Sequence, residues 1–290
     1  MSDASAWHVG LVLTRPSRVA ASAVVDGASV AVVKGSTRVT VSSVGKETDE
    51  DAVEEATRVA NVILDQLSWQ YDLALQLDAQ TWSLERVQSS GEKTVTVKPR
   101  PATVVVRTQG PVVEIRDADG SVLQRHEPGQ LGTLDVLCSE AAAYYRRAHL
   151  CDHPFDRFRY LYLAAENVAE KILTRSGFDD KSLTKHYNER SRDRSRLRLA
   201  LDKSFGDDLG ALRHRARALA ITEVKGSNLT AAVAATLYDA FRCELFHSKA
   251  SKTKKLPFNR RDEAQVQGAI PLMELVAKRL IQYDTKLAPW

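Results

Sequence analysis

The chain has 290 residues, of which 43% are hydrophobic and 27% charged, and a formal net charge of +4. This length suits two domains of ordinary size, and the composition is that of a globular protein, which excludes a disordered or collagen-like chain. The charge is unevenly divided, with 13 basic against 17 acidic residues up to residue 130 and 28 against 20 beyond it, so any affinity for a polyanion is expected in the second half.

The first residues, MSDASAWHVGLVLT, lack the basic segment and apolar core of a secretory signal, and no apolar run reaches membrane-spanning length. A cytoplasmic protein with no membrane partner is the expectation. Cys138, Cys151 and Cys243 are odd in number and have no C-x-x-C spacing, which argues against a disulfide framework or a structural zinc site and for buried thiols.

Residues 7 to 43 contain short β-branched runs, WHVGLVLT, VAASAVVD, SVAVV and TRVTVSS, broken by Gly or Asp, and they read as strands. The period then changes. Ala52, Val53, Ala56, Val59, Ala60, Ile63, Leu64 and Leu67 recur at three- and four-residue steps after an acidic turn, Asp49 to Asp51, which predicts an amphipathic helix ending near Trp69. Strand patterns return in TWSLERV, KTVTVKP, ATVVVRT and PVVEIRD, and Asp117 to Gly120 joins the last of these to SVLQRH as a hairpin turn. One long helix among many strands predicts an α+β domain, a helix across a mostly antiparallel sheet, over residues 1–130. Trp7, Trp69 and Trp82 are expected as core anchors. The aspartates of the 117–120 turn lack the spacing of a calcium loop.

HEPGQLGT, residues 126 to 133, carries a Pro and two Gly where the period changes for good, and marks a linker. The rest, 131–290, reads as an all-α bundle. Helices are predicted over Leu134 to Leu150, from Pro154 to a stop at Gly177 with Asp152 as cap, from a cap at Ser227 or Asn228 through Val233, Leu237, Phe241 and Leu245, and from Asp262 to Lys286 with Pro271 inside. Between them, the basic stretch Lys181 to Arg198 is expected as a solvated face or loop.

The run YDAFRCELFHSKA, residues 238 to 250, places Arg242 five residues before His247 late in a helix, and HPFDRFRYLYLAAENVAEKI, residues 153 to 172, is an aromatic-rich early helix with Glu166 near its middle. Together they resemble the HEPN family (higher eukaryote and prokaryote nucleotide-binding) over about half the chain. A second Arg–His match, Arg147 with His153, precedes Pro154 at a helix junction and is set aside. What the resemblance implies is a metal-independent RNA endonuclease with no cofactor, with Arg242 and His247 as catalytic residues, Glu166 and Glu244 in support, and Lys249, Lys252, Lys254 and Lys255 holding RNA phosphates. The chemistry is consistent: an imidazole titrating near neutrality moves the proton, and a permanent cation stabilises the phosphorane. Five residues of ideal helix set the two groups about 7.5 Å and about 140° apart, so the family's arrangement of two bundles sharing one cleft makes a homodimer part of the expectation, with a defence or toxin role. The first domain is expected to sense a regulatory ligand or protein.

Cys243 stands where the family usually has Asn, Asp or His. The rival expectation is a non-catalytic dimerisation, RNA-binding or protein-binding module in which Arg242 pairs with a carboxylate such as Glu166 and His247 caps its helix. His149, Cys151 and His153 alternate in a way that suggests zinc, but no fourth ligand is visible and Pro154 breaks the geometry, so no metal is expected. Phosphate-binding glycine loops, nucleophile elbows and H-E-x-x-H helices are absent from the sequence.

Overall fold

The computed structural model describes residues 6–87, 93–98, 108–109, 112–116, 122–126, 139–206, 208–221, 228–246, 255 and 259–287. The chain divides into two compact units: Met1–Gln66 with Leu75–Leu137, and Leu67–Ala74 with Cys138–Trp290.

In the first unit, strands β1 (Ala6–Leu13), β2 (Ala21–Val25), β3 (Ala28–Val32), β4 (Arg38–Gly45), β5 (Leu77–Val87) and β6 (Lys93–Lys98) form an antiparallel sheet in the order β2-β3-β4-β1-β5-β6. Its two-residue period decides what is buried: Trp7, Val9, Leu11 and Leu13 of β1, Val39 and Val41 of β4 and Leu84 of β5 all lie in the core. Helix α1 (Asp49–Tyr71) supplies the complementary apolar stripe through Ala52, Ala56, Val59, Ala60, Ile63 and Leu64. Thr48 caps it by accepting from the Asp51 amide at 3.1 Å, and three acidic residues occupy its first turn. Asp26 and Gly27, both at positive φ, make the two-residue turn between β2 and β3. Arg58 on α1 reaches back to Asp26 at 2.5 Å and holds Glu55 at 2.7 Å. A three-stranded sheet follows, made of β7 (Thr108–Gln109), β8 (Val112–Arg116) and β9 (Val122–His126). The turn expected at 117–120 and most of the expected linker lie outside the described residues.

The second unit is helical: α2 (Glu140–Leu150), α3 (Pro154–Ser176), α4 (Asp180–Tyr187), α5 (Arg192–Phe205), α6 (Gly210–Ala218), α7 (Leu229–Ala235), a π-helical segment Thr236–Arg242, α8 (Cys243–Phe246) and α9 (Arg260–Leu287). The expected fold class is therefore present, a helix-bearing antiparallel sheet followed by an all-α region. Helix α3 is the centre, packed against α2, α5 and α9. Its stripe Phe158, Leu161, Ala165, Val168 and Ile172 shares one core with Val266, Ile270, Met273, Val276 and Leu280 of α9. Local chemistry sets the helix ends. Ser139, Asn228 and Ser191 cap α2, α7 and α5, and Asp179 and Ser182 form a reciprocal capping box on α4. Gly177 stops α3 in the left-handed conformation at φ 72°. The cap of α3 is His153 and not the expected Asp152: its ring nitrogen accepts from the Phe155 amide at 3.3 Å, with Pro154 at the first helical position.

The segment Leu67–Ala74 completes this unit. Trp69 packs in the helical core, and Asp72 accepts from the Tyr145 hydroxyl at 2.8 Å and from Lys278 at 2.6 Å. Among the described residues, no helix is long and apolar enough to cross a membrane.

Candidate functional site

The basic stretch from Lys181 to Arg198, expected as a solvated face or loop, is helical over most of its length. It folds as α4 and the first half of α5, because Leu183, Leu197, Leu199, Ala200 and Leu201 are buried beneath its arginines. Three of those arginines, Arg194, Arg196 and Arg198, are paired. Arg196 donates to both oxygens of Asp180 at 2.7 and 2.6 Å. Arg194 bridges Glu189 at 3.1 Å and Asp239 at 2.8 Å, and Arg198 meets Glu189 at 3.3 Å.

The helix expected to carry Arg242 and His247 is not uniformly α-helical. After α7 it widens into the π segment Thr236–Arg242, where the Cys243 amide donates to the Tyr238 carbonyl five residues back, and α8 then resumes the α form. Such π insertions occur often at functional sites. Here the segment buries Leu237 and Phe241 and leaves Arg242 half-buried, and Cys243 at the start of α8 is buried after it.

Arg242 does not stand open. One terminal nitrogen lies 3.5 Å from Glu166 on α3 and 3.3 Å from Asp193 in the first turn of α5, and the guanidinium sits 5.4 Å from the ring centre of Tyr238. The ion pair expected between Arg242 and Glu166 forms, joined by Asp193, which sequence reasoning missed. The only signal for Asp193 was its place two residues after Ser191, within a stretch read as loop. Burial pushes the carboxyl of Glu166 up, against the opposing charge of Arg242. Burial opposes the charge on Arg242 too, but Asp193 and Glu166 outweigh it and raise its pKa. Burial also lifts the Tyr162 hydroxyl, one helical turn before Glu166, well above its ordinary range.

With two carboxylates on one guanidinium, the cluster carries net negative charge. A phosphate arriving at Arg242 must displace a carboxylate, which is the opposite of the preorganised cation that phosphorane stabilisation requires. Glu244 and Lys255 come together as a separate pair at 2.6 Å, with Lys255 5.2 Å from the ring centre of Phe241. His247, Lys249, Lys252 and Lys254 lie outside the described residues.

The His149, Cys151 and His153 side chains have other partners. The His149 ring packs at a tilt against Tyr145, with ring centres 4.8 Å apart, the Cys151 thiol donates to the Arg147 carbonyl, and His153 is the cap of α3. Among the described residues, no group of three or more His, Cys, Asp or Glu is placed to hold a metal ion. Helix α6, GALRHRARA, has no acidic residue and exposes Arg213, His214, Arg215 and Arg217 while burying Leu212 and Ala216; Arg190 and Arg192 are exposed as well.

Fold and site together define an all-helical unit in which Arg194, Arg196, Arg198 and Arg242 are matched by carboxylates and α6 exposes a run of basic side chains. Residues 141–282, from α2 almost to the end of α9, match the family model described as methylamine utilization protein MauJ, so this region is similar to that family. The match overturns the resemblance to the HEPN family, which rested on one aromatic helix and on an Arg–His spacing short enough to recur by chance in an arginine-rich chain. No curated protein and no solved structure matches the chain at a significant level.

Proposed function

We propose that the helical unit is a non-catalytic RNA-binding module acting in the cytoplasm, and that the first unit carries a regulatory ligand or partner. The observation that supports this reading most is the pairing of Arg242 with Glu166 and Asp193: the cation nominated for catalysis has its charge matched within one chain and needs no second copy to complete it. Helix α6 exposes a run of basic side chains: Arg213 and Arg217 lie four residues apart and share a face, and Arg215 is exposed on the other flank. A helix face of this kind neutralises backbone phosphates without reading sequence. The family description names methylamine utilization.

The test is a fluorescence-anisotropy titration of single-stranded and duplex RNA with the full chain over a range of salt. Wild type is expected to bind with steep salt dependence. The triple variant Arg213→Ala, Arg215→Ala, Arg217→Ala is expected to lose about 2 units of the log–log salt slope on single strands, at roughly 0.7 per phosphate contact. Arg242→Ala is expected to bind within about twofold of wild type, a surface-scale effect. Cleavage of RNA by wild type but not by Arg242→Ala would overturn the non-catalytic reading. Undiminished binding by the triple variant would remove α6 from it.

A further inference from the structure

The large sheet of the first unit has a second face, on the side away from Trp7, Val9 and Leu11. Along β1 that face is made by His8, Gly10 and Val12. The register sets Thr40 and Ser83 on either side of Gly10, Ser42 and Glu85 on either side of His8, and Arg38 beside Val12. Thr40, Ser42 and Ser83 thus share this face with Arg38, as do His8 and Glu85.

Gly10 is the seat of that arginine. A Cβ at this position would lie 3.3 Å from Nη2 and 3.4 Å from Nε of Arg38, and 2.3 Å from Oγ of Ser83. The guanidinium therefore lies down along the sheet over Gly10 in a half-buried position, where a larger residue would push it off. Burial lowers its pKa, and the charge of Glu85 offsets this only in part. Arg58, in the same unit, is held by two carboxylates at 2.5 and 2.7 Å. No carboxylate lies within ion-pairing distance of Arg38 among the described residues. A guanidinium partly stripped of water, with Glu85 acting on it from beyond ion-pairing distance, presents a planar fork of donors matched to two oxygens of one anion.

We propose that this face is a binding site for a small oxyanion, a carboxylate or a phosphate, gripped by Arg38 over Gly10 and flanked by the hydroxyls of Ser83, Thr40 and Ser42. The two anions share the chemistry of paired acceptor oxygens that a guanidinium fork recognises. The site belongs to the first unit alone and stands or falls independently of RNA binding by α6.

The experiment is calorimetric titration of the full chain, in separate arms, with inorganic phosphate and with succinate. At least one is expected to bind saturably, and the arm that does identifies the class. Arg38→Gln is expected to weaken that binding by about tenfold to a hundredfold, the size of a lost charge-assisted contact. Gly10→Ala, which keeps the charge but fills its seat, is expected to weaken it in the same direction, whereas the α6 triple variant is expected to titrate like wild type. Absence of saturable binding in both arms, or an Arg38→Gln variant that binds as wild type does, overturns the proposal. Loss of binding in the α6 variant overturns it as well, by placing the anion on the other unit.

Discussion

Replacing Arg242 by Leu removes one guanidinium from between two carboxylates. At 3.3 and 3.5 Å, each pair of unit charges attracts by about 5 kcal/mol at an effective dielectric of about 20. Most of that is not available. The Glu166 and Asp193 side chains are 35% and 32% exposed, and both solvent and the entropy of fixing three side chains reduce it, so the net loss at neutral pH is expected at about 2–3 kcal/mol. For a unit of this size the corresponding fall in Tm is roughly 4–12 °C, read by far-ultraviolet circular dichroism. The pH dependence gives a second reading. Burial already holds the Glu166 carboxyl above its ordinary value against Arg242, and without Arg242 that rise is unopposed. An acid whose folded pKa is raised binds its proton more tightly when folded, so stability is lost as pH climbs from the ordinary value, about 4.3, through the raised one. The Arg242→Leu variant should therefore recover stability on acidification across that window. Adding Glu166→Gln should restore part of the loss at neutral pH, a non-additivity expected of groups in contact. A loss below about 0.5 kcal/mol at neutral pH, the range of an inert surface change, or a further loss on adding Glu166→Gln, would refute the reasoning.

Gly27→Val, at φ 82° in the turn between β2 and β3, is expected to cost about 1–2 kcal/mol because a β-branched residue resists the left-handed region; an unchanged unfolding midpoint would show that the turn relaxes freely. Thr230 is buried and donates its hydroxyl to Asp202, which also accepts from the Tyr187 hydroxyl at 2.7 Å. Thr230→Val should destabilise the helical unit by about 1–2 kcal/mol in urea unfolding, since it deprives a half-buried carboxylate of a donor. The backbone amide of Ser182 holds the Asp179 carboxyl below the usual range. That stabilisation is complete above the unfolded pKa and disappears as pH falls through the folded one. Asp179→Asn should therefore flatten the acid limb of the stability profile, and a limb identical to that of wild type would deny the capping box any linkage.

Where one face is buried and the period is unbroken, sequence and structure coincide. The strands from Ala6 to Val87, helix α1 and the final helix with Val266, Ile270, Met273 and Val276 inward were all legible from alternation or from three- and four-residue steps. The stretch from Lys181 to Arg198 was not, because its arginines outnumber the few leucines that set its period. The acids that neutralise those arginines are supplied by residues as distant as Asp239, and local pattern carries no trace of such pairs. The π segment leaves no mark either, since Val233, Leu237 and Phe241 fit an α-helical spacing although the hydrogen bonds from Thr236 onward do not follow one. For the site, Arg242 and Glu166 were named from sequence as a pair and meet in space, whereas Glu244 and Lys255 were named for separate roles and meet each other. What the nominations lacked was Asp193, whose presence changes the sign of the charge facing an incoming phosphate.

Trp69 and Asp72 give the helical unit a non-contiguous chain. On the ribosome these residues emerge early, and their partners follow late, since Asp72 is separated from Tyr145 by 73 positions and from Lys278 by 206. Closing so long a loop carries an entropic cost that local helix contacts must first offset, which makes this docking a late event in folding. A fragment starting at residue 131 would never complete it. Its core would have a void the size of an indole, and the Tyr145 hydroxyl and the Lys278 ammonium would be left without their shared acceptor. Excision at the obvious compositional seam therefore yields a weakened bundle, and adding back a peptide that spans Leu67–Ala74 is the natural way to repair it.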